Sequence, residues 1–251
     1  METVGLIPCA GKGTRLGLPF SKEMYPDVHG KEYRPIIMHT IDAFKLAGIT
    51  EIIVTFNPDK RDILKYLGNG KQFGINISYC MHPTPKSLPE SLNEAFHITK
   101  NKRVVFAMPD TIITPNNFVL QALNFHEKEG ATVTLGCFKT DNPTSVSVVE
   151  FKENDSTVVN VIEKPKETNL KLMWGMMVWE NSFSHTLNHF CNNETPRVGV
   201  KELYLSDALA PHIRNSEIKG IKLENGNYRD LGTFQEITRW ANVKYLDSVS
   251  V

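Results

Sequence analysis

Residues 4–16 constrain this chain more than any other stretch. Val4–Pro8 is an unbroken apolar run, the pattern of a strand buried on both faces. It empties into Cys9–Ala10–Gly11–Lys12–Gly13, a turn built largely from small residues. Such a turn lets backbone N–H groups approach an anion closely, and Arg15 and Lys22 add mobile positive charge just beyond it. The combination suits a polyphosphate, and a triphosphate in particular. Two familiar phosphate loops are excluded. No Gly-Lys-Ser/Thr ends this one, and Leu16 stands where a dinucleotide fingerprint needs its third glycine.

The alternation that begins here continues through the first half. Glu51–Phe56, Ile75–Cys80, Val104–Met108 and Thr132–Phe138 read as strands. Between them, Ile36–Ala47, Arg61–Leu67, Leu88–Ile98 and Asn117–Glu129 carry helical periodicity. Strand–helix alternation at this spacing predicts a Rossmann-like α/β fold, an open, mainly parallel sheet with helices on both faces. After Phe138 the rhythm changes. Val146–Phe151, Thr157–Glu163 and Leu172–Trp179 read as strands with short connectors, an antiparallel or mixed extension of the sheet. Helical patterns return at Ser182–Phe190 and Lys201–Ile213, then a strand at Ile218–Leu223 and a last helix from Phe234 to about Tyr245. One domain over residues 1–251 is the economical expectation.

The 28 basic and 28 acidic side chains cancel, so positive potential has to be local, inside a cleft. Wholesale binding to nucleic acid or to an anionic membrane is not expected. No apolar run approaches the roughly 20 residues that span a bilayer, and Met1-Glu2-Thr3 offers no basic leader. Cys9, Cys80, Cys137 and Cys191 form no C-x-x-C pair, and the histidines show no zinc-ligand spacing. Free thiols in a cytoplasmic protein are the expectation.

The opening segment resembles that of the sugar-phosphate nucleotidyltransferases, or NDP-sugar pyrophosphorylases, among them the glucose-1-phosphate thymidylyl- and uridylyltransferases. Their strand leads into G-x-G-T-R-L and then P-K-x-x-x-P; Gly11, Gly13, Thr14, Arg15, Leu16, Lys22 and Pro26 match, with Ser21 in place of the first proline. Strand-end Asp110, Glu163–Lys164–Pro165 and Tyr228–x–Asp230–x–Gly232–Thr233 follow in the family's order. The resemblance implies a nucleotide-binding half, 1–138, and a half for the sugar and the second metal ligand, 139–251. It also implies Mg²⁺ as cofactor, with an NTP and a sugar 1-phosphate as partners; self-association into a homo-oligomer is left open.

On that resemblance Ala10, Gly11, Gly13 and Thr14 cradle the nucleotide. Arg15 grips the departing pyrophosphate, since a guanidinium holds phosphate oxygens bidentately. Lys22 draws the α-phosphate and the sugar phosphate together. Asp110 and Asp230, far apart in the chain, are expected to converge on one Mg²⁺, an ion that commonly takes one or two carboxylates. Taken alone, either aspartate could instead cap a helix. Pro89, Ser91 and Glu94 match the base-reading turn, where serine and glutamate replace a glycine and a glutamine. Ser147, Glu163, Lys164 and Gly175 fall on the sugar side, Ser147 again in place of a glycine. Glu163 would accept from sugar hydroxyls, and Gly175 would admit a close backbone.

Two further readings stand beside this one. The short spacing from Arg15 to Lys22 is closer to cytidylyltransferases acting on non-hexose alcohol phosphates. A non-catalytic nucleotide-sugar-binding regulatory protein could keep the same fold.

Overall fold

The computed structural model describes residues 1–223 and 225–249, with side chains as far as Asn242. In chain order the elements are β1 (Thr3–Cys9), α1 (Ile37–Leu46), β2 (Glu51–Phe56), α2 (Arg61–Leu67), β3 (Asn76–Met81), α3 (Leu88–Asn93), α4 (Phe96–Thr99), β4 (Arg103–Ala107) and β5 (Thr111–Thr114). They continue with α5 (Phe118–Glu129), β6 (Val133–Lys139), β7 (Ser147–Phe151), β8 (Val158–Glu163), β9 (Leu172–Trp179), α6 (Asn181–Asn193), α7 (Leu205–Arg214), β10 (Ile218–Lys222), β11 (Asn227–Asp230) and α8 (Phe234–Val249).

The main sheet runs β10-β6-β9-β4-β1-β2-β3, with β7 attached to β9 and β8 to β7. Strand β1 lies near its centre, parallel to both β2 and β4, and its apolar run is buried without a break from Val4 to Cys9. The β2–β3 and β6–β10 pairs are parallel as well, whereas β9 is antiparallel to β4 and β6. This is the mixed, mainly parallel sheet expected. Its two faces carry separate cores. Ile37, Ile41 and Phe44 of α1, Ile63 of α2 and Val119 of α5 pack on one face. Leu92 of α3, Phe183 and Leu187 of α6 and Leu205 and Leu209 of α7 pack on the other.

Two local departures bear on the site. The helical pattern over Leu88–Ile98 is broken in two, because Ala95 donates to Leu92 in an i→i+3 bond and ends the α-turn. More consequential are β5 and β11, which pair antiparallel as a ribbon apart from the main sheet. At four residues each they are too short for a periodic pattern to show. A third core, Leu16, Ile36, Ile112, Leu231, Ile237 and Trp240, fastens the glycine loop, this ribbon and α8 together. Cys9, Cys80 and Cys137 are buried free thiols, and Cys191 is half-buried. No helix among the described residues is long and apolar enough to cross a membrane.

Candidate active site

Parallel pairing makes β1 and β4 end at the same edge of the sheet, so the glycine loop and Asp110 emerge side by side. Gly13 has φ +63, a conformation that disfavours side chains, and the stem of Lys22 passes beneath it, its Cγ 3.5 Å from where a β-carbon would lie. From there the Lys22 ammonium reaches Asp110 Oδ2 in an ion pair. The Asp110 side chain is only 3 % exposed, and its Oδ1 has no hydrogen-bond partner among the described residues. The turn that presents it is held by Thr40, whose hydroxyl donates to the Met108 carbonyl at 2.7 Å.

The β5–β11 ribbon supplies the other carboxylate. Asp230 stands opposite Thr111, and the Leu231 N–H donates to the Asp110 carbonyl at 3.0 Å. Asp110 and Asp230 therefore adjoin, as the spacing alone could not have shown. Burial, and then the charge on Asp110, raise the Asp230 carboxyl above its ordinary value against the pull of the Gly232 N–H, Lys22 and Arg15. Burial works against the Lys22 ammonium, but Asp110 and then Glu23 outweigh it and hold its pKa up. Arg15 completes the group: its Nη2 lies 3.1 Å from the position a β-carbon would take on Gly232, with Asp230 Oδ1 2.8 Å from that same point. Leu16 and Leu231, the neighbours of Arg15 and Asp230, are both buried in the third core, which fixes the two backbones.

An aspartate oxygen buried without a partner, next to a second carboxylate whose ionisation is disfavoured, is a donor set short of a cation. Among the described residues no cage of three or more His, Cys, Asp or Glu forms here, and a pair of carboxylates fits the few protein ligands Mg²⁺ requires. The residues present fit that ion.

The other candidates sit on the loop after β1, at α3 and at β7, β8 and β9. Ala10 is buried where β1 ends, whereas Gly11 and Thr14 are exposed on the loop. Ser91 is buried, its hydroxyl 2.9 Å from that of Thr55 on β2, and Pro89 is buried on the same short helix. Glu94 is more open, its carboxylate 4.0 Å from His82 Nε2. On the second half, Ser147 and Glu163 are directly paired across β7 and β8, and the Ser147 hydroxyl donates to Glu163 Oε2. Lys164 Nζ lies 3.8 Å from Glu163 Oε1, and Lys164 takes a positive φ of 41°. A cleft of about 680 Å³ runs past Val146, Met173, Tyr228 and Asp230, with Lys139 and Arg239 on its rim.

Gly175 does something different from the approach expected of it. It lies inside β9, and a β-carbon there would stand 2.5 Å from Cδ2 of the Tyr228 ring. Its missing side chain makes room for Tyr228, which also packs on Phe138 and precedes Asp230 by two residues. Burial, then the charges of Asp230 and Asp110, keep the Tyr228 phenol protonated far above its usual range. Sequence reasoning also missed Asp62 and Lys60, which hold the residues on either side of Lys22. No motif marks them; only the fold brings them to the loop.

Known proteins of similar sequence and fold point to one family. A glucose-1-phosphate thymidylyltransferase of Neisseria meningitidis is 29% identical over 81% of this chain and 71% of its own length. A mannose-1-phosphate guanyltransferase of Yarrowia lipolytica is 26% identical over 65% of this chain and 45% of its own. The crystal structure of a UDP-glucose pyrophosphorylase complexed with UDP-glucose superimposes with a TM-score of 0.81 at 18% identity, covering 98% of this chain and all of that one, and so shares the fold. The sequence profile of the nucleotidyl transferases matches residues 4–247, nearly the whole chain. A glycine loop, two adjoining aspartates and that match lead to one conclusion: this chain belongs to the nucleotidyl transferase family.

Proposed function

We propose that the protein is a Mg²⁺-dependent sugar-1-phosphate nucleotidyltransferase, joining an NTP, preferentially a pyrimidine one, to a sugar 1-phosphate with release of pyrophosphate. The observation that carries this reading is the meeting of Arg15, Lys22, Asp110 and Asp230 beside the glycine loop. In this reaction a phosphate oxygen of the sugar phosphate attacks the α-phosphorus in line, and the bond to the β-phosphate oxygen breaks. No covalent enzyme intermediate is needed, so positioning and charge neutralisation supply the rate.

Lys22 bears on the α-phosphate and the incoming phosphate, and Arg15 takes up charge on the departing pyrophosphate. Asp110 and Asp230 would hold the metal ion, which when bound supplies positive charge to the phosphate oxygens. Ala10, Gly11, Gly13 and Thr14 offer backbone to the nucleotide. Pro89, Ser91 and Glu94 are assigned to the base because α3 follows β3 at the same edge of the sheet. Glu163 and Lys164 are assigned to the sugar phosphate because the Lys164 N–H donates at 3.2 Å to the carbonyl of Val146, which lines the cleft that contains Asp230. Because relatives include both a thymidylyl- and a guanyltransferase, base choice falls to these residues.

The test is pyrophosphate release with each of four NTPs against a panel of sugar 1-phosphates, with Mg²⁺ and with a chelator. Turnover that needs both substrates and the metal supports the proposal; ligand-induced stabilisation without turnover identifies a binding protein instead. A second reading, transfer of a cytidylyl group to a non-hexose alcohol phosphate, is favoured by one contact. Ser147 already occupies a Glu163 oxygen, which leaves fewer acceptors for a fully hydroxylated sugar. The same panel, extended to alcohol phosphates, separates the two.

A further inference from the structure

Lys22 stands in a turn that cannot hold itself. The 3₁₀ turn covers only Lys22–Met24, and Ser21 gives it no side-chain cap. A single such turn has little stability of its own, so other contacts must set its place. Those contacts are made by the two residues that flank Lys22. Ser21 donates its N–H to Asp62 Oδ2 at 2.7 Å and its hydroxyl to Asp62 Oδ1 at 2.6 Å. Glu23 Oε1 accepts from Lys60 Nζ at 2.6 Å, both side chains being nearly sealed from solvent. Lys60 immediately precedes α2 and Asp62 is its second residue. One short segment thus grips the chain before and after Lys22.

We propose that Asp62 and Lys60 are positioning residues for Lys22, acting through Ser21 and Glu23 to fix where its ammonium stands against Asp110. The inference rests on the proposed function for the use that Lys22 is put to, but not for the geometry. Both grips are charged and therefore strong. A hydrogen bond to a carboxylate is worth more than one between neutral groups, and two on one carboxylate also fix direction. Burial alone would raise the Asp62 carboxyl, but the Ser21 hydroxyl and N–H outweigh it and hold it below the usual range, so it remains an acceptor. The N–H bond explains a residue choice as well: proline at position 21 has no N–H to give. On the other side, the second oxygen of Glu23 is buried without a partner among the described residues, so Lys60, ahead of Lys22, is the main charge that keeps this carboxylate tolerable. Because reacting groups displaced by about 1 Å can lose roughly 100-fold in rate, a grip on both sides of Lys22 has a direct chemical use.

The experiment compares wild type with Asp62→Ala and Asp62→Asn; the amide can still accept from the Ser21 N–H while donating to its hydroxyl. The rate of acetylation of Lys22 in the protein without substrate, read by mass spectrometry, reports its position whatever reaction the protein performs. Asp62→Ala should label several-fold faster at Lys22 with labelling at buried Lys60 unchanged, and Asp62→Asn should restore slow labelling. In parallel, kcat for pyrophosphate release should fall on the order of 10- to 100-fold in Asp62→Ala and largely recover in Asp62→Asn. Unchanged Lys22 labelling in Asp62→Ala overturns the proposal, as does equal loss in both variants. Wild-type protein that labels as described but releases no pyrophosphate overturns the proposed function and leaves the positioning supported.

Discussion

Thr111 and Asp230 face each other across the β5–β11 ribbon, and that single pairing delivers Asp230 to Asp110. Everything the site can do with a cation follows from it. The carboxylates come from segments remote in sequence, one after a central strand and one before the last helix. The ribbon, rather than either aspartate, makes them a pair.

Removing the charges should silence the reaction. Lys22→Ala and Asp110→Ala are each expected to lower pyrophosphate release by at least about 100-fold, the usual cost of losing a preorganised charge at a reacting centre. Steady-state assays with the preferred NTP check this, and wild-type-like turnover in both variants would reject the assignments.

Gly175→Ala tests the packing beneath the ribbon. The new methyl meets the Tyr228 ring, so strand β11 must shift or the ring must leave. Overpacking of this kind typically costs about 1–3 kcal/mol. Chemical denaturation should show that loss, and metal affinity measured by calorimetry should fall with it because Asp230 moves with Tyr228.

Ser147→Gly addresses selectivity. Without the hydroxyl, Glu163 regains a free oxygen for a substrate hydroxyl. A hydrogen bond to a charged group contributes about 1.5–3 kcal/mol, so the ratio of kcat/KM for a hexose 1-phosphate over a smaller alcohol phosphate should rise by about tenfold or more. An unchanged ratio would remove Ser147 from the substrate's surroundings.

His39 should give the fold a pH dependence near neutrality. Burial pushes its imidazole below 6.5, and Asp27, 2.9 Å away, offsets this only in part. Between the folded value and 6.5 the unfolded chain binds more protons, so stability rises with pH there. The contribution of His39 is thus full above pH 6.5 and lost on acidification through the folded value. Between about pH 7.5 and about pH 5.5, the Tm of wild type should fall further than that of His39→Gln. Parallel curves from scanning calorimetry would assign the dependence elsewhere.

Much of this molecule was legible before any coordinates. The β1 run announced a buried central strand, and Leu172–Trp179 was bounded correctly because eight residues of apolar and aromatic chain leave little alternative. The glycine loop, Lys22 and the strand-end aspartate carry local signals of their own. The remainder depends on contacts between remote segments. The four-residue strands β5 and β11 have no periodicity to read, and they acquire their form only by pairing with each other. Gly175 looked like a place for substrate because a glycine in a motif does not say what fills the space above it. Asp62 and Lys60 were silent for the same reason: a charged pair at a helix start is ordinary until the fold lays Ser21 and Glu23 against it.

The ribbon also sets an order of events during synthesis. A ribosome has long since extruded the glycine turn and Lys22 when Asp230 is finally added. Until then β5 lacks its mate and Asp110 its companion, so an unfinished polypeptide holds every part of the centre except the one that closes it.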